Sequence, residues 1–295
     1  MHLVLSQHLP LVFLSSICLT LLILPICGKI IIDTAELFIH LRSDIKIIMK
    51  GVSRTATFTI ADLHLSTRES TDKSMEVFGP RWTDYIKKIE KNWRALVEDG
   101  DTVIIPGDIS WALSLDEALD DLTFIDSLPG RKILGKGNHD FWWCTMSKHE
   151  KFFKEHEIDS ISFLFNNAHE TDAYIIAGTR GWYNDEDATN APDDVDFEKL
   201  TRREAMRLET SLKSAVQLKE QSPEKEILVF MHFPPFWNEK ASDSLIDILK
   251  KYGISRVFFG HIHGNYTVPP SFTYDGIEMS LVSADYLGFI PKIIK

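Results

Sequence analysis

The sequence predicts an α/β protein. From residue 55 onward, short apolar runs of strand length alternate with amphipathic stretches of helical period, and small polar clusters fall directly behind several of the apolar runs. Composition agrees: 295 residues, 44% of them apolar and 25% charged, can bury a large core. Disorder and a disulfide-stapled miniprotein are both excluded.

Taken in order, residues 56–61, 102–105, 131–134, 161–165, 173–177, 227–231, 257–259 and 279–282 read as strands, most of them buried on both faces. Helical spacing appears in Trp82, Tyr85, Ile86, Ile89, Trp93, Leu96 and Val97. It recurs in Leu115, Ala118, Leu119, Leu122 and Ile125, and in Leu245, Ile246, Ile248 and Leu249. Between Asn184 and Glu198 lie seven acidic residues, followed by a charged helical pattern with Phe197, Leu200, Leu208 and Leu212 on one face. We expect residues 184–220 to be an inserted acidic loop and covering helix rather than a metal site, because the carboxylates lack histidine and calcium-loop spacing. A cap over a pocket is the functional alternative.

The first 48 residues stand apart. Residues 3–28 contain no Asp, Glu, Lys or Arg, and such a run could cross a hydrocarbon core about 30 Å thick. Pro10 and Pro25 interrupt it, and no basic residue precedes Lys29 as a secretory signal would require. Three readings stand: a membrane anchor on residues 3–28, a cleaved signal, or an extension upstream of a working chain that begins at Met49. Lys29, Arg42, Lys46, Lys50 and Arg54 all follow the run, so an anchor would leave the remainder, residues 49–295, in the cytoplasm. Cysteine usage agrees with a reducing compartment, since Cys144 is the only thiol outside the run.

The chemistry gathers at strand ends. Asp62-x-His64, Gly107-Asp108, Gly137-Asn138-His139-Asp140, Met231-His232 and Gly260-His261-x-His263-Gly264 each follow an apolar run. Ligands of open α/β sheets bind beyond the carboxyl ends of strands. If the first strand continues, Asp62 and His64 share one face, and the same period brings His261 and His263 together. Imidazole, carboxylate and amide oxygen suit Mn, Fe or Zn, whereas structural zinc would call for thiolates. Asp108 is the natural carboxylate to bridge two cations. Singly each cluster is weak, and a lone histidine such as His232 is commonly a structural one.

As an ordered set, these motifs resemble the calcineurin-like metallophosphoesterase superfamily, from about residue 55 to the end of the chain. The resemblance implies two packed mixed β-sheets flanked by helices, with a dinuclear metal site at one edge. It implies Asp62, His64 and His263 on one cation, Asn138, His232 and His261 on the other, and Asp108 between them. His139 matches the residue that contacts phosphate and protonates the leaving oxygen; the alternative is a hydrogen-bond partner behind the ligands. Asp140 would orient its neighbours.

Such a site hydrolyses phosphate esters by in-line attack of a bridging hydroxide. Asp108 continues as Ile109-Ser110-Trp111 and not as the Asp-Arg-Gly of protein phosphatases, which disfavours a protein substrate. Trp111 and Phe141-Trp142-Trp143 resemble a group of bacterial predicted phosphohydrolases. A small phosphodiester or phosphomonoester such as a nucleotide is expected, and Arg180 could pair its phosphate or serve only in a salt bridge. The formal net charge of −11 argues against sequence-independent nucleic-acid binding. Bound cations would reverse the local sign for a phosphate. The contrasting reading is a fold-retaining scaffold that has lost catalysis, which should have lost ligands; here every position is filled.

Overall fold

The computed structural model describes residues 55–68, 73–184 and 196–295. The apolar run, Met49 and most of the acidic loop, including the cap reading, lie outside the described residues. Among the described residues, no helix is long and apolar enough to cross a membrane.

Two mixed sheets form the centre. The first contains β1 (Thr57–Thr59), β2 (Thr102–Pro106), β3 (Arg131–Gly135), β4 (Ile161–Phe163) and, antiparallel beside β1, the C-terminal β13 (Lys292–Ile293). Their order is β13-β1-β2-β3-β4. The second sheet is built from β5 (His169–Glu170), β6 (Tyr174–Thr179), β7 (Glu226–Met231), β10 (Arg256–Phe259), β11 (Phe272–Tyr274) and β12 (Ile277–Leu281). Its order is β11-β12-β10-β7-β6-β5, with antiparallel pairing at both edges and parallel pairing between. A separate hairpin pairs β8 (Phe236–Trp237) with β9 (Lys240–Ala241).

Strand alternation explains the layering. In β2, Val103 and Ile105 point to the helices on one face while Ile104 points to the other sheet. In β7, Ile227, Val229 and Met231 face outward to helices, whereas Leu228 and Phe230 join Ile104, Ile133 and Phe258 between the sheets. Both faces are therefore buried, which is why these strands read as unbroken apolar runs.

Helices α1 (Tyr85–Leu96), α2 (Leu119–Ser127) and α3 (Met146–Glu155) contribute to the core on the outer face of the first sheet. Helices α4 (Phe197–Gln221) and α5 (Asp243–Lys251) do the same for the second. The expected helix from Trp82 begins only at Tyr85, because Pro80–Trp82 forms a short 3-10 turn and Asp84 takes φ +52°. The expected covering helix is α4, started by Asp196, whose carboxylate accepts the Lys199 N–H at 2.9 Å. Its buried face is not purely apolar: Glu204 and Ser211 lie among Leu208 and Leu212.

One seam joins the sheets at the edge where the motifs converge. Beyond β1, Ala61 donates its N–H to Val282 O at 2.8 Å and accepts from Ala284 N at 2.9 Å. The chain thus keeps its contact with β2 on one edge and, on the edge that β13 occupies beside β1, pairs with the end of β12 in the other sheet.

Candidate metal centre

The five motifs meet at the carboxyl ends of β1, β2, β3, β7 and β10, so both sheets supply one site. Two donor groups have ligand atoms within 4.8 Å of one another: Asp62, His64 and His263, and Asp62, Asp108 and His232. Asp62 belongs to both. Asp108 Oδ2 lies 3.7 Å from His64 Nε2 and 3.4 Å from His232 Nε2, so one carboxylate oxygen faces both groups. Asn138 Oδ1 lies 2.6 Å from His232 Nε2 and 3.0 Å from His261 Nδ1, which gathers the remaining two candidates, Asn138 and His261.

The local route differs from the expected one. Asp62 and His64 do not alternate along a continuing strand, because β1 ends at Thr59. Both adopt left-handed backbone, at φ +58° and +44°, as do Asp108 at +51° and His261 at +69°. Side chains other than glycine rarely occupy this region, and such strain concentrates where geometry is over-determined. Here the restraints are visible: Asp62 N donates to Gly107 O and His64 N to Asp108 O, both at 3.0 Å. His261 N donates to both Asp62 carboxylate oxygens at 3.0 Å. Gly137 and Gly260 are required for closeness, since a Cβ would strike Asp108 Oδ1 at the first and Asp62 Oδ2 at the second.

Supporting groups fix the ligands. Tyr85 OH donates to His64 O at 2.6 Å, and burial pushes its own pKa up to about 12. Trp111 stacks on His64 with ring centroids 4.7 Å apart. His232 Nδ1 lies 3.3 Å from Pro106 O, which favours a proton on that nitrogen and leaves Nε2 free to face the site. Asp285 was not legible as a site residue: it lies 22 positions from His263 and belongs to no motif. Its Oδ1 nevertheless sits 3.0 Å from His263 Nδ1.

The electrostatics fit divalent cations. Asp62 and Asp108 are 0% and 1% exposed, and among the described residues no Lys or Arg forms an ion pair with either. Burial, with repulsion from Asp140 and Asp62, pushes the Asp108 carboxyl well above its ordinary range. Burial lowers His261 to about 4, although Asp62 opposes the shift. Burial would also lower His263, but the Asp62 and Asp285 carboxylates outweigh it and raise the ring to about 10. Buried carboxylates interleaved with largely neutral imidazoles are the donor set of a cation site.

His139 lies at the rim. Its N–H donates to Asp108 Oδ1 at 2.8 Å, and its ring sits 4.5 Å from Trp111 and 6.2 Å from Phe141, centroid to centroid. Arg180 is set apart. Its carbonyl accepts from His232 N at 3.1 Å, while its guanidinium lies 3.8 Å from Glu204 and 4.7 Å above the Trp182 ring.

With this fold and edge site defined, the class of protein follows. The chain belongs to the calcineurin-like phosphoesterase family, whose model matches residues 58–265. It is therefore a phosphoester hydrolase of a family that implies divalent metal ions, and the Asp/His clusters above could hold them. Among solved structures it is similar to a phosphopantetheinyl hydrolase from Mycobacterium tuberculosis, at 14% identity over 82% of this chain and 96% of that chain, TM-score 0.49. It is also similar to a protein of unknown function from Aquifex aeolicus, at 16% identity over 81% and 96%, TM-score 0.40. A protein from Thermus thermophilus aligns at 8% identity over 82% and 99%, TM-score 0.47. No curated protein matches the chain.

Proposed function

We propose that the chain uses two divalent cations, Mn, Fe or Zn, to hydrolyse a small phosphodiester or phosphomonoester such as a nucleotide. The observation that carries this reading is Asp108, whose single oxygen faces His64 on one side and His232 on the other. Asp62, His64 and His263 would hold one ion. Asn138, His232 and His261 would hold the other, and Asp108 would touch both. When bound, such a pair clamps a phosphoryl group, neutralises its developing charge and lowers the pKa of water.

The protein's own groups do the rest. Asp62 and Asp108 are held from behind by the backbone donors of His261 and His139, so neither carboxylate must reorganise as charge moves. His139 stands at the rim with no polar contact on its ring among the described residues, and it is the side chain available to give a proton to the departing alcohol. Trp111 packs against both His64 and His139 and fixes their rings on that side. Arg180 enters as a support for the His232 backbone, since its guanidinium is turned to Glu204. The partner is thus a small phosphorylated substrate.

A panel of esters tests the reading. Full-length protein stripped of metal and supplied with Mn²⁺ should hydrolyse an aryl phosphomonoester, an aryl phosphodiester, or both. Their rate ratio assigns the ester class. Failure to turn over any phosphate ester with any of the three metals would contradict the proposal.

A further inference from the structure

We infer that Asp285 is a positioning residue that selects the tautomer and orientation of His263, and so the affinity of the cation shared with Asp62 and His64. This rests on the two-cation reading above. Asp285 is fully buried, and its two oxygens have different partners. Oδ2 accepts from Gly264 N at 2.9 Å and from Tyr266 OH at 3.1 Å. Oδ1 is left for His263 Nδ1 at 3.0 Å. A carboxylate only accepts, so Asp285 holds a proton on Nδ1 and leaves Nε2 as the nitrogen that meets the cation. Nε2 in turn lies 3.4 Å from Asp62 Oδ1 and 3.1 Å from His64 Nε2, facing the donor group.

Asp285 is itself held from two directions. The seam that joins Ala61 to Val282 and Ala284 delivers the chain to this position, and Gly288 N donates to Asp285 O at 3.2 Å. Arg81 Nε also donates to Asp285 O, while its guanidinium carbon lies 4.2 Å from the centre of the Tyr266 ring. One arginine therefore fixes both the backbone of Asp285 and the tyrosine that hydrogen-bonds its carboxylate. The chain Arg81, Tyr266, Asp285, His263 runs from the half-exposed rim to the ligand. Carboxylate partners of ligating histidines set ring orientation and basicity, and their loss weakens metal binding by about 10–100-fold.

The test is Asp285→Asn in the full-length chain, read by calorimetric titration of the metal-free protein with Mn²⁺. Asparagine keeps the shape, but its one oxygen cannot serve both Gly264 N–H and His263. Either the amide NH2 faces Nδ1 and drives the ring proton to Nε2, or two donors collide at Gly264. The expected result is one binding event at wild-type affinity and the other weakened about 10–100-fold, with the thermal midpoint of the metal-free protein close to wild type. Tyr266→Phe, at a side chain 45% exposed, provides a milder variant that folds even where Asn fails; it should weaken the same event several-fold. The inference is overturned if both variants that fold bind two ions with wild-type affinity, if both events weaken equally, or if only stability falls. A wild-type chain that binds two ions but hydrolyses no ester refutes the proposed activity and leaves this inference standing. One that binds none of Mn²⁺, Fe²⁺ and Zn²⁺ refutes both.

Discussion

Asp140 accepts the backbone N–H of Asp108 at 3.0 Å, and that contact ties the loop after β2 to the loop after β3. The same buried carboxylate accepts from Ile109 N, Ser110 N, Gly137 N and the Trp142 indole, at 2.8, 3.3, 2.7 and 3.1 Å. Two strands thereby present Asp108 and Asn138 in fixed register. Asp140→Ala would strand these buried donors, so we expect a loss of at least about 3 kcal/mol in denaturant unfolding. Unfolding within about 1 kcal/mol of wild type would show that the loops hold each other by other means.

Close approach of glycine to carboxylate gives a second prediction. Gly260→Ala adds a methyl group that meets Asp62 Oδ2 and Ala61 Cβ. Asp62 must then move away from both donor groups it serves. Mn²⁺ affinity should fall by about tenfold or more, because a misplaced ligand forfeits its bond, while β10 remains paired with β7 and β12. A Gly260→Ala protein with unchanged titration curves would mean that Asp62 does not ligate.

A third prediction concerns acid stability away from the site. His149 in α3 is fully buried, accepts the Cys144 N–H through Nε2 at 3.1 Å, and packs on Phe163 with centroids 4.4 Å apart. Burial, aided by Lys136, lowers its pKa from 6.5 to about 4. Between those values the unfolded chain takes up a proton that the folded chain refuses. Its contribution is thus fully present above pH 6.5, falls as pH drops through the window, and levels off below about 4. His149→Gln can still accept from Cys144 N and does not titrate. Unfolding free energy measured at about pH 5 and about pH 7.5 should differ less in the variant than in wild type; an equal or larger difference would contradict this assignment.

The buried carboxylate of Glu204 yields a fourth. Thr179 Oγ1 donates to its Oε2 at 2.8 Å, and Oε1 lies 2.7 Å from Arg207, 3.4 Å from Arg203 and 3.8 Å from Arg180. Removing Glu204 leaves the mostly buried Arg180 without its ion pair while Arg203 and Arg207 still reach water, which costs about 1–3 kcal/mol. Glu204→Ala should therefore loosen α4 from β6, visible as faster amide exchange in α4 before any change in α1. Protection of α4 equal to wild type would assign its docking to the rest of its buried face, Ala205, Leu208, Ser211, Leu212 and Ala215.

Much of this was legible in the sequence, for identifiable reasons. Strands buried on both faces, such as β2 and β7, leave unbroken apolar runs, and their ends mark where Asp108 and His232 must lie. Less was legible where partners are distant or periodicity is thin. Helix α3 buries only His149, Phe152 and Phe153, too few apolar residues to announce a stripe. The edge strands β5, β8, β9 and β13 are two residues long, too short for any alternation. The left-handed conformations of Asp62, His64 and His261 depend on hydrogen bonds they donate to residues of neighbouring loops, so strand alternation gave the right proximity by the wrong geometry. Asp285 meets His263, and Arg81 meets Asp285, only because the C-terminal segment crosses between the sheets, a tertiary fact with no local signal.

At the centre stands the proposal that two cations share Asp108 and that their joint presence drives phosphate-ester hydrolysis. The most direct measurement is turnover of an aryl phosphate against bound Mn²⁺ per chain, for wild type and Asp108→Asn. We predict that wild-type activity rises with the second equivalent, and that the variant loses at least about 100-fold in rate, in line with removal of a group that stabilises transition-state charge. Full activity at one equivalent, activity without metal, or a variant as active as wild type would contradict it.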